Sequence, residues 1–213
     1  QTRSEAAARY HLPQHFVFSF GSNKPHKNLV RLVEAWSLVQ RDLRLDIGDS
    51  APRRLQSRIS NPDPPLLVIA GHQDSRYGDA QARATELGIA DSVTFIDAVR
   101  DEDLPALYSA CDLFVFPSLY EGFGLPPLEA MACGAPVTCS NTSSMPEVVG
   151  DAALLFDPSR PQEIAQAIGR ILKEPALQAD LRARSLQRAA QFSWRQCART
   201  TLEVYRSVAS KQA

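Results

Sequence analysis

Two glutamates and three glycines share one short segment of the chain, Leu119-Tyr-Glu-Gly-Phe-Gly-Leu-Pro-Pro-Leu-Glu-Ala-Met-Ala-Cys-Gly134. Gly122 and Gly124 allow a backbone to approach a ligand closely, because no Cβ stands in the way. Pro126 and Pro127 suit the first turn of a helix, where a missing N–H costs nothing. The amides near Phe123, Gly124 and Leu125 then point out of the helix start, and with the helix dipole they form a seat for a phosphate or pyrophosphate. Glu121 stands at the mouth of that seat and Glu129 one helical turn inside. Carboxylates accept charge-assisted hydrogen bonds from neighbouring sugar hydroxyls, so the segment suits a ligand that carries phosphates and hydroxyls together. The plainer alternative has Glu129 decorating its helix and Glu121 solvated. Two carboxylates framed by glycines directly after a buried strand favour the binding reading.

Such a segment needs a scaffold, and the hydrophobic pattern supplies one. Phe16–Phe20, Leu66–Ala70, Val93–Asp97, Asp112–Pro117, Pro136–Cys139 and Ala153–Phe156 read as short strands, several of them continuous apolar runs. Between them lie helical patterns: one after a cap at Asn28, then Asp74–Leu87 stopped by Gly88, Asp101–Ala110, Leu125–Cys133 stopped by Gly134, and Met145–Val149. Three more helices follow at Pro161–Leu172, Ala176–Gln191 and Trp194–Val208. Strands that alternate with helices and are apolar on both faces predict an α/β fold with a Rossmann-like, doubly wound parallel sheet. In that architecture ligands bind outside the carboxyl ends of the strands at the topological switch point. Residues 1–15 read as a linker or a short entering helix, 16–191 as the Rossmann-like body, 41–65 as a polar, Pro-rich surface insertion, and 192–213 as a closing helix.

Length and composition exclude several other classes. The chain has 213 residues, 44% of them hydrophobic, with 23 Lys and Arg against 24 Asp and Glu. That suits one domain, and a net charge of -1 offers no basic field for nucleic acid. The longest apolar run, around Ala132–Val137, is far short of the roughly 18 residues a membrane span requires. The chain begins with Gln1, so it is expected to be part of a longer protein. Cys111, Cys133, Cys139 and Cys197 are scattered, as in reduced cytoplasmic proteins rather than a disulfide framework. His11, His15, His26 and His72 fit no common metal-ligand spacing, so no metal site is expected. Asp101-Glu102-Asp103 has a D-x-D form, but at the start of a helix it reads as capping that complements the dipole. Asn141-Thr142-Ser143-Ser144 either reaches the sugar or diphosphate through its hydroxyls and amides, or is a plain N-cap cluster. Arg182, Arg184 and Arg188 read as a solvated helix face.

Glu121 and Glu129, seven residues apart within EGFGLPPLE, resemble the paired-glutamate (EX7E) motif of retaining glycosyltransferases of the GT-B fold, the group called family 4 or group 1. FSFGSNKPHKNLVRL (Phe18–Leu32), LLVIAG (Leu66–Gly71), Val93–Asp97, ALYSACDLFVFPSLYEGFGLPPLE (Ala106–Glu129), GAPVTCSNTSSMPEVV (Gly134–Val149), Leu154–Pro158 and the closing helix Phe192–Tyr205 resemble successive segments of that family. The likeness spans residues 16 to 208 apart from the insertion.

The resemblance implies the C-terminal, donor-binding half of a GT-B enzyme. Glu129 would hold the ribose hydroxyls, and Glu121 would contact and position the transferred sugar. The amides at Gly124 and Leu125, beside Phe123, would bind the diphosphate. Lys27 would stabilise the phosphate of the leaving nucleotide, and the loop around Val99 would pack the base. The family often has an arginine directly after the glycine of its first strand; here Ser22 follows Gly21, and Lys24 or His26 is expected to supply the charge. No tightly bound cofactor and no metal is expected. The implied substrate is a nucleotide-diphosphate sugar, with a GDP-mannose type as the candidate. The acceptor, a saccharide or lipid-linked, would be held by an N-terminal domain, in surface polysaccharide or lipopolysaccharide synthesis at the cytoplasmic face of a membrane. The isolated chain is expected to transfer nothing, and its closing helix to pack toward the other domain. Alternatives on the same fold are a nucleotide-binding regulatory module, a sugar-nucleotide epimerase or a phosphorylase. The epimerase lacks its further acid–base residues here and the phosphorylase its cofactor lysine.

Overall fold

The structure is a computed structural model, described here for residues 3–46 and 65–210. Its centre is a six-stranded parallel sheet of β1 (Phe16–Phe20), β2 (Leu66–Ala70), β3 (Val93–Ile96), β4 (Leu113–Phe116), β5 (Val137–Ser140) and β6 (Ala153–Phe156), in the order β3-β2-β1-β4-β5-β6. The chain builds outward from β1 to β3, returns to lay β4 on the other side of β1, and continues to β6. Phe18 therefore faces Val68 on one side and Phe114 on the other. The direction reverses between β1 and β4, so the loops after Phe20 and Phe116 flank the crevice in which such sheets bind ligands.

Alternation along each buried strand sends neighbouring side chains to opposite faces, and the two faces differ in kind. Val17, Leu67, Ile69, Leu113 and Val115 join an aliphatic layer beneath α2 (Leu29–Asp46), α3 (Asp79–Glu86) and α7 (Pro161–Lys173). Phe16, Phe18, Phe114 and Phe116 join an aromatic layer with Tyr108, beneath α1 (Arg3–Arg9), α4 (Leu104–Ala110), α5 (Leu125–Ala132) and α6 (Met145–Val149). The remaining helices among the described residues are α8 (Pro175–Ala189) and α9 (Trp194–Ala209). In α2, Leu29, Leu32, Val33, Trp36, Val39 and Leu43 fall at helical spacing and are all buried. Trp36 satisfies its indole N–H by donating to the Ser92 carbonyl at 3.0 Å.

Several expectations change. The predicted helix over 74–87 is a 3-10 turn at Ser75–Tyr77 followed by α3, with Gly78 between them. Helix α2 runs through Asp46, so the first six residues of the expected 41–65 insertion continue it; residues 47–64 lie outside the described residues. Of the two readings of the N-terminal segment, the short entering helix is the one observed, as α1 with Ala6 fully buried. Tyr10, just after α1, donates its hydroxyl to Asp103 at 2.8 Å. Asp103 makes no capping bond to α4. Its buried carboxylate instead accepts Arg100 Nε at 2.7 Å and the Tyr10 hydroxyl, which hold its pKa down to about 2.

Asn28 is a second correction to capping. Its backbone takes the left-handed conformation (φ 59°) between a 3-10 turn at Pro25–Lys27 and α2. Its buried Nδ2 donates to the Pro117 carbonyl at 3.1 Å and to the Pro158 carbonyl at 2.7 Å. One amide thus ties the loop after β1 to those after β4 and β6. At the other end of the chain, α9 has no buried residue, and Trp194, Val204, Tyr205 and Val208 stand exposed.

Candidate functional site

The carboxyl ends of β1 and β4 bring Lys27 and Glu121 together. Lys27 Nζ lies 2.6 Å from Glu121 Oε1, with both side chains only 16% exposed. The same oxygen accepts the hydroxyl of buried Ser118 at 2.6 Å. Lys27 also sits 5.2 Å from the centre of the Phe116 ring, in the range of a cation–π contact. Its stem passes Gly21, where an added Cβ would sit 3.6 Å from Lys27 Cδ and Cε. Each partner is positioned from its backbone: Lys27 by the 3-10 turn, and Glu121 by a loop whose Leu119 N–H donates to the His26 carbonyl at 2.8 Å.

Beyond Glu121 the chain turns into α5. Gly124 adopts φ 107°, and a Cβ there would strike the terminal methyl of buried Met145 on α6. Only glycine takes that conformation in that space without strain. Pro126 and Pro127 carry no N–H, so Leu125 is the first helical donor. Among the described residues the amides of Gly122, Phe123, Gly124 and Leu125 donate to no acceptor of the chain, whereas Leu128 N–H already bonds to the Gly124 carbonyl. These four N–H groups and the positive end of the helix suit an anion. The Phe123 ring packs edge-on to Phe192, with ring centres 6.2 Å apart.

Glu129, on the first turn of α5 beyond the prolines, has a side chain that leans toward the helix start, as helical side chains do. Its Oε2 accepts the Tyr108 hydroxyl at 3.2 Å. Tyr108 is buried, with its ring edge-on to Phe20, the last residue of β1, at 6.4 Å. Burial first, and then the charge of Glu129, push the phenol above its ordinary range, so it stays a donor. Glu121 and Glu129 are thereby each fastened to the β1 side of the crevice, one through Lys27 and the other through Tyr108.

The structure places the remaining expected residues less centrally. Ser22 is half-buried next to Gly21, while Lys24 and His26 are exposed on the turn that presents Lys27. Val99 is partly buried against the aromatic layer after β3, in the loop anchored by Arg100 and Asp103. Three contributors were absent from the sequence reading in these roles. Ser118 and Tyr108 each bond one glutamate, and the Thr142–Ser144 hydroxyls bond the backbone of the 119–123 loop. Ser118 is three residues before Glu121, a spacing that could have drawn notice; Tyr108, 21 residues before Glu129, gave no local signal. Among the described residues no three His, Cys, Asp or Glu side chains cluster as metal ligands. No described helix is long and apolar enough to cross a membrane.

Comparison with known proteins identifies the family and the fold. The family described as glycosyl transferases group 1 matches residues 4–188. The chain is 37% identical over 196 residues to the O-antigen chain mannosyltransferase B of Escherichia coli, covering 91% of this chain and 46% of that protein. Sucrose-phosphate synthase (tll1590) from Thermosynechococcus elongatus superposes with a TM-score of 0.74 at 28% identity, over 98% of this chain and 49% of that one. The C-terminal domain of a glycosyl transferase group 1 family protein (LpcC) from Francisella tularensis gives a TM-score of 0.69 at 20% identity, over 90% and 92%, a likeness of fold. The chain spans about half the length of the O-antigen mannosyltransferase it matches. Its sheet is the Rossmann-like C-terminal half of a GT-B fold, and the chain belongs to the group 1 family of glycosyl transferases.

Proposed function

We propose that the chain is the donor-binding domain of a retaining glycosyltransferase that moves a sugar from a nucleotide-diphosphate sugar to a saccharide or lipid-linked acceptor. The observation that carries this reading is the Lys27–Glu121 pair, 2.6 Å apart, beside four unpaired amides at the start of α5. Breaking a glycosyl–phosphate bond builds positive charge on the sugar and negative charge on the departing diphosphate. Lys27 and the amides near Gly124 and Leu125 are fixed before the reaction, so they stabilise the leaving group without reorganisation. Glu121 Oε1 is held by Ser118 and Lys27, which leaves Oε2 to accept a hydroxyl of the sugar. Glu129, steadied by Tyr108, grips the ribose. Both carboxylates act by orienting the donor, and Glu121 is assigned no nucleophilic step.

The likeness to the O-antigen chain mannosyltransferase supports a GDP-mannose type of donor and a role in surface polysaccharide synthesis on the cytoplasmic side of a membrane, with peripheral attachment of the whole protein. No metal or tightly bound cofactor enters this reading. Base packing is assigned to the loop at Val99, and Lys24 or His26 stands in for the arginine absent at Ser22. The acceptor and the residues that hold it belong to a further domain, so the chain alone binds donor and transfers nothing. Calorimetry of the purified chain tests the reading. GDP or UDP should bind with clear preference over inorganic phosphate, and Glu129→Ala should lose that binding. Equal affinity for nucleotide and phosphate would sink the donor site, and sugar transfer by the chain alone would sink the division of labour.

A further inference from the structure

The loop that presents the amides is fastened in an uneven way. Ser144 Oγ donates to the Phe123 carbonyl at 2.7 Å and lies 3.1 Å from the Glu121 carbonyl. Ser143 Oγ accepts the Glu121 N–H at 3.0 Å and lies 3.1 Å from the Glu121 carbonyl. Thr142 Oγ1 donates to the Leu119 carbonyl at 3.1 Å. Three consecutive hydroxyls thus hold carbonyls of the 119–123 loop, while the amides of Gly122 through Leu125 remain unpaired. Ser143 takes a left-handed backbone (φ 50°), uncommon for a residue with a side chain, as its hydroxyl meets both backbone groups of Glu121. Met145, the next helical residue, fills the space beneath Gly124.

The platform is itself braced from behind. Arg188 of α8 donates through Nε to the Val148 carbonyl at 2.9 Å and through Nη2 to the Glu147 carbonyl. These carbonyls at the end of a five-residue helix would otherwise lack partners. The arginine read from sequence as part of a solvated face is therefore a strut beneath α6.

We propose that Ser143 and Ser144 are positioning residues that sort the polarity of the glycine loop, turning its carbonyls onto their hydroxyls and its N–H groups outward toward a diphosphate. This role differs from plain helix capping, one of the two roles read for the segment from sequence. Ser144 makes no side-chain capping bond to α6, and its hydroxyl already serves the loop carbonyls. A peptide plane that flips presents a carbonyl where an anion would sit, so a small loosening of the loop costs binding more than it costs folding. This inference rests on the diphosphate reading of the loop.

The test is calorimetry of GDP and of guanosine on the chain, the weaker ligand measured by competition. Ser144→Ala should weaken GDP roughly fivefold, the worth of one ordinary hydrogen bond, and leave guanosine unchanged. Ser143→Ala should do the same to a lesser degree, and Ser144→Thr, which keeps the hydroxyl, should restore GDP affinity even if Ser144→Ala folds poorly. Unchanged GDP affinity in both alanine variants, or an equal loss for guanosine, or no rescue by threonine, would overturn the proposal. A wild-type chain that fails to prefer GDP or UDP over inorganic phosphate would instead overturn the donor site itself, so the two failures are distinguishable.

Discussion

The two glutamates sit on the same loop and helix, yet the molecule holds them by opposite means. Glu121 faces a cation: Lys27 and Ser118 converge on one oxygen at 2.6 Å each. Glu129 faces a neutral phenol, Tyr108, at 3.2 Å, and is otherwise exposed. The contrast follows from what precedes each in the chain. Glu121 lies at the switch point between β1 and β4, where the loop carrying Lys27 crosses. Glu129 is one turn into α5, against α4 and the aromatic layer. A carboxylate paired with a lysine fixed at 2.6 Å can share that cation with an incoming phosphate and keep its serine. One held by a buried hydroxyl keeps both partner and aim when ligand arrives. The first arrangement suits the reacting end of a donor and the second a hydroxyl pair far from the bond that breaks.

The contrast breaks most sharply at Lys27. In the complete enzyme, Lys27→Ala should lower turnover by about a hundredfold to a thousandfold, the scale seen when a preorganised group that stabilises developing charge is removed. The loss belongs in kcat more than in KM, because the charge grows mainly in the transition state. A fall confined to KM would place Lys27 in ground-state binding only. Glu129→Ala should do the reverse and act on affinity. If Glu129 makes the two charge-assisted hydrogen bonds to ribose proposed for it, the loss should be roughly tenfold to a hundredfold, read by calorimetry with GDP. The same substitution should leave a 2′,3′-dideoxy nucleotide unaffected, and an equal loss for both nucleotides would remove Glu129 from the ribose.

Ser118→Ala tests the charged side at smaller scale. It deletes one of two bonds to Glu121 Oε1 and leaves the Lys27 ion pair, so turnover of the complete enzyme should fall about three- to tenfold with nucleoside diphosphate affinity unchanged. A parallel loss of nucleotide affinity would show that Ser118 supports the whole loop rather than the aim of Glu121.

The charged side was the more legible of the two from sequence. EGFGLPPLE announces glycines, prolines and carboxylates at spacings that local rules interpret, and the apolar runs at Leu66–Ala70 and Leu113–Phe116 announce buried strands. The switch point follows from the order of elements. Partners across the fold were not legible. Asn28 stands before a helix, as caps do, and only the approach of Pro117 and Pro158 turns its amide into a staple. Asp103 opens a helix in the same way, and only the return of Tyr10 adds a distant donor to the ion pair that its buried carboxylate makes with neighbouring Arg100. Arg188 has a polar neighbourhood in sequence, and its use beneath α6 depends on where α8 crosses. In each case the local pattern gave a sound default, and a contact from a distant segment replaced it.

Tyr108 carries the smallest effect and the most specific signature. Tyr108→Phe keeps the ring in the aromatic layer and removes one hydrogen bond, so nucleoside diphosphate affinity should fall roughly two- to fivefold, again sparing the dideoxy nucleotide. Its pH behaviour separates this role from mere packing. The phenol is raised in the folded chain by burial and by the charge of Glu129, whereas in the unfolded chain it ionises near pH 10, roughly the free value. A raised group binds its proton more tightly when folded, so its stabilising contribution is full below about pH 10 and declines as pH rises beyond it. Urea unfolding followed from pH 8 upward should show that alkaline decline in the wild type and a shallower one in Tyr108→Phe. Identical alkaline slopes would mean that the phenol ionises as freely in the folded chain as in the unfolded one, and that Glu129 is not held by a buried donor.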